Sequence, residues 1–271
     1  MLGVGALAGV LGGMLGIGGG IVMIPAMFFV FGGEMGRYGP NGLHVYKLAA
    51  ISTSFVLSIP AVLRHIRARA IVRRFLPAII PAAFVGVIGG VLLAGVFRDE
   101  QAANLRRIFG GFLELVVLIS LVQEWRTARG APYLRDHCPM PTRRTLLGVV
   151  VGLPAGVIAG LLGVGGGIWA VPAQSLLFGL RIRNAIANSA AMIVGISVVT
   201  AISLTLFIST RLAGDPHVST ASGWWLTLWL APGAVAGGWL GASLTHTLPV
   251  RWLRYAFLLV LAYTGYQLIT R

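Results

Sequence analysis

The chain contains one 18-residue segment twice. Residues 9–26 read GVLGGMLGIGGGIVMIPA and residues 156–173 read GVIAGLLGVGGGIWAVPA, with 11 of the 18 positions identical at a constant offset of 147. Most of the shared positions are glycine: Gly9, Gly13, Gly16, Gly18, Gly19 and Gly20 match Gly156, Gly160, Gly163, Gly165, Gly166 and Gly167, and Pro25 matches Pro172. Helix-breaking residues in fixed register inside two very apolar segments imply that each half of the chain begins with an interrupted helix. The N–H and C=O groups exposed by such an interruption must then find partners elsewhere in the protein, because lipid offers none.

Composition sets the surroundings. Hydrophobic residues make up 57% of the chain and charged residues 10%, with a mean hydropathy of +0.88, against roughly 25% charged in a soluble domain. Residues 1–33, 75–97, 145–180, 184–210, 216–250 and 255–270 contain no Asp, Glu, Lys or Arg, and residues 48–63 and 108–123 add two spans, the second interrupted by Glu114. A helix needs about 20 apolar residues to cross the hydrocarbon core. The expected fold is therefore an all-α integral membrane protein with eight hydrophobic segments. They form two homologous four-segment repeats, each starting with a Gly-broken or re-entrant helix. The N-terminus has no basic region and its apolar run is long, so a cleavable signal peptide is not expected.

The net charge is +14, yet its placement argues against nucleic acid as a partner. The basic residues are 20 Arg and Lys47, set between apolar segments: Arg64, Arg67, Arg69, Arg73 and Arg74 in one loop, Arg126, Arg129, Arg135, Arg143 and Arg144 in another. Short basic loops mark cytoplasmic connections; attraction of anions is a lesser reading of the same charge. The expected division is an N-terminal repeat at 1–122, an Arg- and Pro-rich cytoplasmic linker at 123–144 and a C-terminal repeat at 145–271, joined in one membrane domain. Cys138 is alone, so no disulfide and no Cys-rich metal site is expected.

The runs at 1–33 and 145–180 are too long for one straight crossing and too short for two. If the second crosses once, the loop at Arg181 and Arg183 lies outside. If it re-enters, Arg181, Arg183, Arg251 and Arg254 become cytoplasmic, which fits the charge rule better. Re-entry leaves three full crossings per half, an odd number, so the halves would be inverted.

The duplication continues past the glycines. Ala50-Ile51-Ser52-Thr53-Ser54 corresponds to Ala185-Ile186-Ala187-Asn188-Ser189, and Pro81, Gly86 and Gly90 to Pro232, Gly237 and Gly241. A half-helix restarting near Gly20 or Gly167 presents unpaired N–H groups and the positive end of a helix dipole, which suit a small anion. The competing reading is tight helix packing, which the four-residue spacing of Gly9 and Gly13, Gly86 and Gly90, and Gly237 and Gly241 favours. Candidate binding residues are Gly18, Gly19, Gly20, Gly165, Gly166 and Gly167, with Thr53, Ser54, Asn188, Ser189 and Gln174. Ser and Thr can equally bond their own helix, whereas a buried Asn demands partners. Glu114, the one carboxylate well inside a hydrophobic segment, is the proton-coupling candidate, with a structural hydrogen bond to a neighbouring helix or an interfacial position as the other readings. His44, His65, His137, His217 and His246 fall at segment ends or in loops, with no pair at metal-ligand spacing.

The twin GxGGG segments, the Ala-x-x-x-Ser stretch in the next helix and the basic run RHIRARAI (residues 64–71) together resemble the TauE/SafE family of permeases, the sulfite exporter family. The resemblance implies a multi-pass protein of the cell inner membrane. It implies transport of sulfite, thiosulfate, sulfonates such as sulfoacetate, or related small anions, with the glycine clusters and neighbouring Thr53, Ser54, Asn188 and Ser189 around the substrate. The Arg-rich linker with Cys138 departs from the family pattern. A membrane enzyme would need a nucleophile, metal cluster or paired acids, and the chain offers no such constellation. No GxxxxGK[ST] loop is present for an ATP-driven pump. The reading is a secondary transporter without cofactor or metal, working by alternating access on a small anion. An anion channel, or a carrier for another small carboxylate or inorganic anion, is the alternative. A homodimer is compatible with either.

Overall fold

The structure is a computed structural model. It describes residues 1–31, 41–95, 102–128, 144–178, 180–215 and 217–247, and individual helical positions between 255 and 270. Most of the expected linker, with His137 and Cys138, and also Arg251 and Arg254, lie outside the described residues.

The described elements are all helical: α1 (Leu2–Leu15), α2 (Gly20–Phe31), α3 (Gly42–Arg67), α4 (Leu76–Ala94), α5 (Ala102–Ala128), α6 (Arg144–Leu147), a π-helical turn (Gly148–Gly152), α7 (Leu153–Leu162), α8 (Gly167–Phe178), α9 (Ile182–Arg211) and α10 (Thr220–Thr247). Among them Gly42–Arg67, Arg73–Ala94 and Ile182–Arg211 are long and apolar enough to cross a membrane. Their outer faces expose large aliphatic side chains: Leu92 is 66% exposed and Ile202 64%. Continuous apolar surface of this kind fits lipid rather than water as the surrounding solvent.

Both glycine clusters break their helices at equivalent residues. α1 ends at Leu15 with Gly16 at φ 64°, and α7 ends at Leu162 with Gly163 at φ 74°. A side chain in that left-handed conformation would cost about 1–2 kcal/mol. The two caps close alike: the Gly16 N–H donates to the Gly12 carbonyl at 2.9 Å and the Gly163 N–H to the Ala159 carbonyl at 2.8 Å. The chain then doubles back. A β-carbon built on Gly19 would lie 3.4 Å from that of Ala8, and one on Gly166 would strike the Ala155 carbonyl. In both halves the contact joins residues eleven apart, which a continuous helix would hold about 16 Å apart. Pro25 and Pro172 sit inside α2 and α8, one turn beyond their starts.

The halves are exchanged onto one another. Gly5, Gly9 and Gly13 of α1 press against Leu230, Ala234 and Gly238 of α10, and Gly237 and Gly241 return the contact on Ala6 and Val10. In the same way Gly156 and Gly160 of α7 meet Ala83 and Val87 of α4, and Gly86 and Gly90 return it on Leu153 and Val157. A β-carbon on Gly9 would sit 2.5 Å from the Ala234 carbonyl oxygen, so these glycines set backbone against backbone, the mode of association that small residues permit in lipid. Each half's first helix thus packs on the other half's α4 or α10.

Helix α3 departs from the sequence reading at both ends. It begins at Gly42, six residues before the apolar run at 48–63. Lys47 therefore lies inside the helix, 1% exposed, and not between segments. The helix can start early because the lysine's aliphatic stem packs on the backbone of Gly163, where Cβ and Cγ approach a built β-carbon to 2.8 Å. At the other end α3 takes in Arg64, His65 and Arg67, and the two arginines suit a helix C-terminus. It closes with Ala70 N–H on the His65 carbonyl at 3.0 Å and Arg69 N–H on the Ile66 carbonyl at 2.9 Å. This is a Schellman closure, with Arg69 at φ 53° where glycine is usual. Arg69→Gly is expected to stabilise the folded protein by about 0.5–1 kcal/mol, read as a rise in thermal midpoint in detergent; a fall would show that the Arg69 side chain holds the loop.

Candidate substrate site at the paired helix breaks

The two breaks touch each other. A β-carbon on Gly18 would lie 3.2 Å from the Val164 carbonyl oxygen, and one on Gly165 would lie 3.4 Å from the Ile17 carbonyl oxygen. The starts of the following helices are held as closely: a β-carbon on Gly20 would lie 2.5 Å from the Gly163 carbonyl oxygen and 2.8 Å from Val164 Cα, and one on Gly167 would lie 2.6 Å from Ile17 Cα. Two unwound strands of backbone therefore cross in the buried interior. The first N–H groups of α2 and α8, which have no partner within their own helix, leave from either side of the crossing.

Two serines tie the crossing to the long helices. Gly19 N–H donates to Ser54 Oγ at 3.1 Å, from α3. Ser189 Oγ, from α9, donates to the Gly16 carbonyl at 2.6 Å. Ser54 and Ser189 are the equivalent residues of the two Ala-x-x-x-Ser stretches, and both are fully buried. One serves an orphaned donor and the other an orphaned acceptor, as an interrupted membrane helix requires. Gly18, Gly19, Gly20, Gly165, Gly166, Gly167, Ser54 and Ser189 are thus brought together.

The remaining candidates are placed differently. Thr53 Oγ1 donates to the Ala49 carbonyl of its own helix at 2.8 Å, the local bond weighed for it above. Asn188 Oδ1 accepts the Val72 N–H at 2.8 Å, and its Nδ2 donates to Gln174 Oε1 at 3.2 Å. Gln174 Nε2 in turn donates to the Ala170 carbonyl at 3.1 Å. One turn before Asn188, Asn184 Nδ2 donates to the Ala70 carbonyl at 2.9 Å. These amides hold the loop between α3 and α4 against α8 and α9. Glu114 lies half-buried on α5, its Oε1 2.6 Å from a β-carbon built on Gly265, in the C-terminal helical stretch and not at the crossing.

Two features escaped the sequence reading. His65 Nδ1 and His246 Nε2 lie 3.2 Å apart, joining the C-terminal turns of α3 and α10. Beside them Arg64 Nε donates to Ser243 Oγ at 3.1 Å and the Arg67 guanidinium lies 5.1 Å from the centre of the Trp239 ring. The histidines are 181 residues apart, so no spacing rule could pair them. The second feature is Lys47, hidden because its neighbour Gly163 belongs to the other repeat.

Exposed apolar helix faces around two broken helices that cross backbone to backbone define a class: multi-pass membrane transporters built on discontinuous helices. The comparisons carry this to a family. The model described as Sulfite exporter TauE/SafE matches residues 1–268, and the chain belongs to that family. It is 28% identical over 295 residues to the "Probable membrane transporter protein MamO" of Magnetospirillum gryphiswaldense, covering the whole of this chain but 45% of that protein. To the "Probable membrane transporter protein YunE" of Bacillus subtilis it is 25% identical over 285 residues, covering 98% of this chain and 94% of that one. A "Probable membrane transporter protein" of Haemophilus influenzae is 27% identical over 268 residues, with 95% and 92% covered. The chain thus spans less than half the length of the Magnetospirillum relative and nearly all of the other two. No solved structure matches it.

Proposed function

We propose that the chain is a secondary transporter that moves small anions across the inner membrane by alternating access. The substrate class is sulfur oxyanions or short organosulfonates such as sulfite, thiosulfate or sulfoacetate. The observation that carries the reading is the crossing itself. Two helix N-termini start from one buried spot with hydroxyls from α3 and α9 beside it, and oriented N–H groups with positive dipole ends suit an oxyanion. The name of the family, sulfite exporter, points to the same chemistry. The exchanged packing gives the proposal its mechanics. α1 moves with α10 and α7 with α4, so a rocking motion would open the crossing alternately to the two sides if the halves are inverted, as we also propose.

The test is flux of labelled sulfite, thiosulfate and methanesulfonate into proteoliposomes. Saturable uptake of one of them, with exchange against unlabelled anion on the far side, is expected. Ser54→Ala and Ser189→Ala should each slow it by roughly 2- to 10-fold, the scale of a net hydrogen bond of about 0.5–1.5 kcal/mol. Wild type that moves none of the three would sink the substrate class. Flux without saturation or exchange would replace the carrier with a channel.

A further inference from the structure

Lys47 is the only lysine in the chain. It is 1% exposed, and its Nζ has no hydrogen-bond partner among the described residues. Such a group is costly to bury: after relaxation the penalty is still several kcal/mol per ion. The carboxylates among the described residues do not offset it, since Glu114 lies against Gly265 and Asp215 Oδ2 accepts from Asn41 at 3.1 Å. The C-terminal end of α7, next to the lysine stem at Gly163, contributes a favourable dipole worth about 0.3–1 kcal/mol. That is too little, so the ammonium is built for a negative partner that the described residues do not supply.

Its position says which. Lys47, Ile51 and Ser54 are spaced four and three along α3 and so share one face. At one end of that face Ser54 accepts the Gly19 N–H of the first break. At the other, about two turns away, the stem of Lys47 packs on Gly163 of the second break. One helix face thus carries a hydroxyl to one break and a cation to the other. The second repeat has no counterpart, because Gly16 packs on the backbone of Ile186 and the residue of α9 aligned with Lys47 is Ile182.

We propose that the Lys47 ammonium is the counter-charge of the transported anion and holds its oxyanion head on the second-break side of the crossing. The proposal rests on the permease reading above and adds to it a single, unduplicated charge. A site with hydrogen-bond donors from both repeats but a cation from one binds an anion off centre, with its charged head toward Gly163.

The experiment measures thermal unfolding of the purified protein in detergent, titrated with sulfite, thiosulfate or methanesulfonate, for wild type, Lys47→Met and Lys47→Arg. Wild type is expected to gain stability saturably with at least one of the three. Lys47→Met should bind that anion about 10- to 150-fold more weakly, the value of a charge-assisted hydrogen bond, and Lys47→Arg should recover most of the loss. Without anion, Lys47→Met should unfold at a higher temperature than wild type, because an uncompensated buried charge has been removed. A Lys47→Met protein that binds as tightly as wild type, or that unfolds earlier without anion, would overturn the counter-charge role and leave the permease reading standing. Wild type stabilised by none of the three would overturn both.

Discussion

Gly20→Ala and Gly167→Ala should each cut transport severalfold to about a hundredfold, although alanine is the better helix former at both positions. Each residue opens a helix, and within a helix alanine is favoured over glycine by up to about 1 kcal/mol. Against that gain stands the other break. The new methyl group at Gly20 would meet the Gly163 carbonyl oxygen at 2.5 Å and Val164 Cα at 2.8 Å, and at Gly167 it would meet Ile17 Cα at 2.6 Å. These neighbours are backbone atoms of a crossing fixed from both sides, so no side chain can swing away. Overpacking of this kind costs typically 1–3 kcal/mol. At the site, it is equivalent to a loss of about 5- to 160-fold in flux. Gly3→Ala and Gly89→Ala are the controls, since no heavy atom lies within 4 Å of either built β-carbon; they should transport like wild type and be equally or slightly more stable. A Gly167→Ala protein as active as Gly3→Ala would show that the two backbones part in the working cycle, and the crossing would lose its claim to be the site.

What could be read from the chain alone was whatever depends on local residue type and on the repeat. The glycine clusters announced the breaks because no helix-forming alternative explains five glycines in eight residues at Gly13–Gly20. The four-residue spacing of Gly86 and Gly90, or Gly237 and Gly241, announced packing because that spacing repeats on one helix face. Ser54 and Ser189 were found by aligning the halves. The features that could not be read depend on which half touches which. Lys47 looked like a loop cation because its host, Gly163, is 116 residues away in the chain. His65 and His246 looked unrelated until α3 and α10 were set side by side. Asn188 was recognised as a buried amide needing partners, but its partner turned out to be the backbone of a basic loop, and a backbone N–H leaves no signature in sequence.

That loop supplies the other large effect. Asn188→Leu should detach the segment between α3 and α4 and leave the crossing intact. Leucine keeps the approximate shape but strands the Val72 N–H and Gln174 Oε1, which Asn188 holds at 2.8 and 3.2 Å. Each buried polar group left unpaired costs about 1–3 kcal/mol. The loop is then tied by Asn184 on the Ala70 carbonyl and by the Arg69 closure, the latter in a conformation that disfavours arginine. Arg69, Arg73 and Arg74 are exposed, so trypsin reports the release directly. Where cleavage follows the population of the open form, a loss of about 1.4 kcal/mol in local stability raises the cutting rate roughly tenfold. The expected result is faster cleavage at these arginines with an unchanged KM for the transported anion. A substrate-binding Asn188 would do the opposite, raising KM while trypsin cut the loop at the wild-type rate. The two roles are separable because the hydrogen bonds that anchor the loop use both ends of the same amide, and an amide committed at both ends has little capacity left for an anion.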